Sequence, residues 1–150
     1  ERDIMREELV KMVVTAFEVQ PGQGAVNFED IKSDDWFFDS ISIAQSSGLI
    51  KGISAKTFGA GIAITREDVC TVLFRAALES GLTFPESEEN FADDSDISMY
   101  AKKAVYGLKS IGVVSGMGQN LFGPKEDCSR AQAAKMIYEL LEKCKGVTKK

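Results

Sequence analysis

The run Ile64-Thr65-Arg66-Glu67-Asp68 decides how this chain is read, because it opens a helix and recurs, altered, near both ends. Sixty residues earlier stands Ile4-Met5-Arg6-Glu7-Glu8, and sixty-four later Cys128-Ser129-Arg130-Ala131-Gln132. The arginine is kept in all three copies. Each copy leads into apolar residues at i, i+3, i+4, i+7 and i+8: Leu9, Met12, Val13, Ala16 and Phe17; Val69, Val72, Leu73, Ala76 and Ala77; Ala133, Met136, Ile137, Leu140 and Leu141. That spacing is the stripe of a core-facing helix.

Working outward, the two later copies close a longer repeat. Asn27-Phe28-Glu29-Asp30, Trp36, Ile41, Gly48-Leu49-Ile50-Lys51-Gly52 and Phe58-Gly59 precede Arg66. Asn90-Phe91-Ala92-Asp93, Tyr100, Val105, Gly112-Val113-Val114-Ser115-Gly116 and Phe122-Gly123 precede Arg130 in the same order. Each unit predicts a loop at Phe-x-Asp and a first helix, roughly 35–47 or 99–111. Gly48 or Gly112 then stands at the helix C-terminus, where glycine tolerates the left-handed conformation. A short extended turn-back at Leu49-Ile50 or Val113-Val114 follows, then a loop with a buried phenylalanine and the second helix. Residues 20–24 and 85–89 read as polar linkers punctuated by glycine and proline. The expected divisions are a closing helix of a truncated repeat at 1–20 and complete repeats at 27–80 and 90–143, together one domain.

The 150 residues suffice for one domain with a real core. A net charge of −5 argues against a general nucleic-acid binder, and no apolar run is long enough to span a membrane. The chain contains no histidine, the commonest general base and metal ligand. No nucleophile pattern or phosphate loop stands in for it, so neither catalysis nor a metal or cofactor is expected. Cys70 and Cys128 lie where apolar residues belong and read as buried. Asp93-Asp94-Ser95-Asp96 lacks the glycine and distal acid of a calcium loop and reads as solvated.

Within the decisive run, Ile64 reads as core and Glu67 as solvent. Thr65-x-x-Asp68 and Ser129-x-x-Gln132 have the form of a capping box, which explains them without a ligand. The arginine is different. A cation in the first turn of a helix is mildly unfavourable, by roughly 0.3–1 kcal/mol. Beside exposed backbone donors, however, a guanidinium makes a site for a carboxylate or phosphate. The plain structural alternative pairs it with Asp30 or Asp93.

These landmarks together resemble the S-layer homology (SLH) domain, over nearly the whole chain. The resemblance implies a mainly α fold of tandem helix–loop–helix repeats around a central three-helix bundle, pseudo-threefold, with one opening half-repeat missing here. It implies an extracellular protein attached to the bacterial cell wall, binding secondary cell-wall polysaccharide, often one bearing ketal-linked pyruvate. It places ligand grooves between repeats and the motif arginine in them. The candidate binding residues are therefore Arg66, Arg130 and Arg6, with Trp36 and Tyr100 as stacking or core aromatics. Asp30 and Asp93 are landmarks beside them, and Gly52 and Gly116 could let backbone approach a sugar. Arg66 belongs to the most complete copy of the motif. Arg6 lacks the opening half of its own repeat, so its groove is expected to be the weaker. The competing reading is a structural or protein-interaction module for surface-layer assembly without sugar binding. A neighbouring repeat upstream, or a second copy, is expected to cover the lobe that the half-repeat leaves open.

Overall fold

Residues 1–87 and 90–147 are described in the computed structural model, and the last two residues of the second linker lie outside them. The helices are α1 (Arg6–Ala16), α2 (Phe38–Ser46), α3 (Arg66–Glu79), α4 (Met99–Ser110) and α5 (Arg130–Cys144), with a 3-10 turn at Asp94–Asp96. The chain is mainly helical. The helix α2 starts later than its pattern suggests, because Lys32–Asp35 form a turn: the Lys32 N–H donates to the Asp35 carboxylate at 2.7 Å. Trp36 therefore stands in the turn before α2.

The closing helices α1, α3 and α5 pack against one another, and this is the central bundle. Leu9, Val13, Val69, Leu73, Ala133 and Leu140 are fully buried there, as the apolar stripe requires. Each opening helix lies on the closing helix of the repeat before it, α2 on α1 and α4 on α3. The α3–α4 contact is close. A side chain on Gly107 would meet the Phe74 ring at 2.7 Å, so glycine is what lets α4 sit on that ring.

Gly48 and Gly112 take positive φ of 83° and 81° after the opening helices. The next two N–H groups turn back to one helical carbonyl, Leu49 and Ile50 to Ala44, and Val113 and Val114 to Leu108. The expected extended segment is thus a lock on the helix C-terminus rather than a paired strand.

The three arginine-bearing segments are tied into a closed ring. The Ile4 N–H donates to the Cys128 carbonyl at 2.9 Å, Cys128 to Ile64 at 2.9 Å, and Ile64 to Ile4 at 3.1 Å. One turn further along, the Arg6, Arg66 and Arg130 N–H groups donate to the carbonyls of Ile62, Glu126 and Arg2. Orphan donors at three helix N-termini are satisfied by a neighbouring segment each time. Residues 1–19 are thereby an integral member of the fold.

Among the described residues, no opening helix packs on α5. Tyr138 stands in the register of Phe74, yet it is 64 % exposed where Phe74 is 8 % exposed.

Candidate functional site

Arg6 and Arg66 are each built into place by the loop of the next repeat. The Asp30 carboxylate accepts from the N–H groups of Phe58 and Gly59 at 2.8 Å each and Ala60 at 3.3 Å. Asp93 accepts from Phe122 at 2.9 Å and Gly123 at 2.8 Å. Burial alone would raise the Asp30 pKa, but these backbone donors outweigh it and hold the carboxyl below its ordinary value. The same two phenylalanines then present their carbonyls to the arginines. Arg6 Nε donates to Phe58 O at 3.0 Å, and Arg66 Nε to Phe122 O at 2.8 Å. Each guanidinium also lies over the ring of that phenylalanine, 5.2 and 5.0 Å from its centre. Asp30 and Asp93 thus hold the loop that holds the arginine, and the direct aspartate–arginine pair considered from sequence is not what forms. The Arg66 side chain does have a local structural partner.

Three grooves follow from this arrangement. The first, of about 470 Å³, is walled by Arg6, the Ile50–Ile53 loop, Asp68, Arg75 on α3, and Tyr100. The Tyr100 hydroxyl donates to Asp68 at 2.6 Å, and Arg6 Nη1 lies 3.7 Å from the other Asp68 oxygen. Burial and then the Asp68 charge push the Tyr100 pKa up, so the phenol stays a donor. Burial lowers the Arg6 pKa, opposed by Asp68. Sequence reasoning expects the Arg6 groove to be the weaker, for want of the opening half of its own repeat. That half is not among the groove's walls, whose loop comes from the following repeat and whose aromatic comes from the one after that.

The second groove, of about 210 Å³, combines Arg66, the Gly112–Met117 loop, Gln132, Lys135 and Glu139. Its loop and helix are present, while the opening helix that would bring an aromatic is not. The third combines Arg130, Trp36, Lys11, Glu8 and Arg2, and here the loop is absent. Trp36 is 58 % exposed, so it is groove wall and not core; Lys11 Nζ lies 5.3 Å from its ring centre. Tyr100 is likewise 61 % exposed.

Three further placements depart from the sequence pattern. Glu67, assigned to solvent, is 2 % exposed. It accepts from the Ser98 N–H at 2.9 Å, the Ser98 hydroxyl at 2.7 Å and Lys125 Nζ at 2.6 Å. Burial raises its pKa, but Lys125 and Ser98 outweigh that and hold it low. Thr65 does accept from the Asp68 N–H at 3.3 Å, but the Asp68 carboxylate turns to Tyr100, leaving half a capping box. Ser129 and Gln132 form the complete box. Gly52 lines the first groove, yet its first need is internal: a side chain there would run into the Thr57 carbonyl and come within 2.5 Å of Phe28.

Lys51, Arg75 and Lys135 are groove residues that sequence reasoning missed. Lys51 and Lys135 carried a usable signal, one inside the glycine-framed loop and the other three residues beyond the capping box. Phe28, Phe58, Phe91 and Phe122 are core as expected, and so are Cys70 and Cys128, whose thiols burial pushes up to about 12 and about 11.

Comparison with known proteins identifies the family. The model of the S-layer homology domain family matches residues 27–70 and 90–134, more than half of the chain. The chain is 33 % identical over 147 residues to an amylopullulanase of Thermoanaerobacterium thermosulfurigenes, covering 95 % of this chain and 8 % of that protein. It is 32 % identical to the exoglucanase XynX of Acetivibrio thermocellus, over 95 % of this chain and 13 % of the relative. It is 28 % identical to the surface-layer 125 kDa protein of Lysinibacillus sphaericus, over 94 % and 12 %. The chain spans about a tenth of the length of these relatives. It belongs to the S-layer homology domain family.

Proposed function

We propose that this S-layer homology module attaches a surface protein to the bacterial cell wall, without catalysis, by holding secondary cell-wall polysaccharide in its inter-repeat grooves. Membership of the family puts the chain at the cell wall or cell surface, in keeping with relatives named for surface layers. The observation that carries the sugar reading is the construction of the grooves. Aspartate, loop and arginine form a relay that fixes Nε and one face of the Arg6 and Arg66 guanidinium groups, and directs what remains of each into its groove. A pyruvate ketal offers a carboxylate on a sugar ring, which suits that fork. Tyr100 and Trp36 offer flat faces beside it.

The repeats are read as 27–80 and 90–143, with 1–20 the closing helix of a third, and the hydrogen-bonded ring as their pseudo-threefold axis. An opening half-repeat from elsewhere in a longer chain, or from a second copy, would cover α5 and supply the loop that the Arg130 groove lacks.

The test is co-sedimentation with purified wall polymer, comparing the parent chain with Arg6→Met, Arg66→Met and the double variant. Met keeps the apolar stem, and circular dichroism checks the fold. Binding should fall at least tenfold in the double variant and weaken with salt in the parent chain, since the net charge of −5 gives no long-range attraction. Undiminished binding by a folded double variant would overturn the arginine reading, and no binding by the parent chain would leave a purely structural module.

A further inference from the structure

In each groove the third residue of one closing helix shares the lining with the arginine of the preceding repeat. We propose that this residue decides whether the arginine is open to an anionic ligand: it is occupied at Arg6 and Arg130, and open at Arg66. The inference rests on the polysaccharide reading of the grooves and adds which of them takes the charged group.

The three positions are Glu8, Asp68 and Gln132. Glu8 lies 3.6 Å from Arg130 Nη1, and Asp68 lies 3.7 Å from Arg6 Nη1. Two of the three arginines therefore already face a carboxylate of the chain itself. Asp68 is further fixed by the Tyr100 hydroxyl, and Glu8 by Arg2 at 2.7 Å and by the Met5 N–H at 2.9 Å. An incoming carboxylate must displace an oxygen that is held from a second side.

The corresponding residue in the groove of Arg66 is an amide. The Gln132 Oε1 accepts from the Ser129 N–H at 3.0 Å, and Gln132 and Arg66 line the same groove. Arg66 is only 6 % exposed, with its Nε on Phe122 O and its face over the Phe122 ring. Among the described residues, no carboxylate lies within 4 Å of it. A guanidinium removed from water without a counter-ion is expensive, and an external carboxylate relieves that cost directly. The groove's acid, Glu139, is engaged by Lys135 at 3.9 Å. In the first groove Lys51 and Arg75 add positive charge at the walls, and Arg75 Nη1 donates to the Leu49 carbonyl at 3.2 Å. They leave Arg6 facing Asp68.

Glu8 also shows that a glutamate at this position can accept from the cap N–H and still stand beside the arginine. Gln132→Glu is therefore a conservative way to close the second groove, and Asp68→Asn a way to open the first.

The experiment is an NMR titration of the ¹⁵N-labelled chain with methyl glucuronide and with methyl glucoside, which differ by one carboxylate. The Gly116 amide reports the second groove and the Gly52 amide the first. In the parent chain, glucuronide should move Gly116 at roughly tenfold lower concentration than glucoside, with no such preference at Gly52. Gln132→Glu should remove the preference at Gly116, and Asp68→Asn should create one at Gly52. A preference at Gly116 that survives Gln132→Glu, or one already equal at Gly52 in the parent chain, would overturn the inference while leaving sugar binding intact. If neither sugar moves either amide, the polysaccharide reading itself fails, and this inference with it.

Discussion

Arg66 and Asp93 never touch, yet they act on one residue: Asp93 accepts the Phe122 N–H at 2.9 Å, and Arg66 donates to the Phe122 carbonyl at 2.8 Å. Asp30, Phe58 and Arg6 repeat the arrangement between the previous pair of repeats. The loop peptide thereby passes the position of a carboxylate to a guanidinium in the neighbouring repeat.

Removing the carboxylate should loosen this relay. Asp93→Ala deletes two charge-assisted bonds to backbone and leaves two part-buried N–H groups without them. A loss of about 3 kcal/mol in urea unfolding is expected. Asp93→Asn keeps one acceptor and should lose about half as much. A loss below ~0.5 kcal/mol for the alanine variant, the range of an ordinary surface change, would show that the loop is held by other means.

Glu67 makes a separate clamp between α3, the Ser98 cap of α4 and Lys125. Its replacement by alanine leaves the Ser98 N–H buried without its partner and should cost about 3 kcal/mol. For a chain of this length that lowers the melting temperature by roughly 6–12 °C, measurable by calorimetry. Glu67→Ala melting within a degree or two of the parent would return Glu67 to the solvent-facing role its sequence position suggests.

The two loop glycines should differ. Alanine at Gly52 runs into the Thr57 carbonyl and the Phe28 ring, whereas at Gly116 the nearest atom is the Leu121 carbonyl at 3.2 Å. Gly52→Ala should therefore destabilise by about 1–3 kcal/mol, and Gly116→Ala by less than about 1 kcal/mol. Chemical denaturation of the two variants side by side reads the difference, and equal losses would contradict it.

Stability should fall in acid partly through Glu8. Its hydrogen bond to Arg2, opposed by burial and aided by the Met5 N–H, lowers its pKa to about 2. The unfolded chain titrates this carboxyl near 4.3, so the unfolded state takes up the proton first. The stabilisation is present above that value and is lost as pH falls from about 4.3 towards about 2. Urea midpoints from pH 5 to pH 2.5 should drop less steeply for Glu8→Gln than for the parent chain. Parallel curves would remove Glu8 from the account.

Much of this molecule was legible in one dimension. The repeated glycines, phenylalanines and apolar stripes announce helices, their ends and their buried faces, because helix periodicity and left-handed turns are local properties of the chain. The arginine stood out for the same reason, as a cation where a helix end disfavours one. Local reasoning failed where partners came from another repeat. Glu67 is buried by Ser98 and Lys125, more than thirty residues away. Asp68 abandons its cap for Tyr100, and Arg6, judged the weaker for want of its own opening half, lines a groove walled by the next two units.

The sequence by itself determined that there are three arginine-headed helices and two opening halves, since these follow from spacing along the chain. Only the tertiary structure decided which side chain each arginine meets. The ring of bonds through Ile4, Ile64 and Cys128 sets every closing helix against the next repeat rather than its own. Asp68 therefore stands before Arg6 and Glu8 before Arg130, while the uncharged Gln132 lines the groove of Arg66. The motif says that an arginine is present; the cyclic packing of the repeats says whether its charge is already answered.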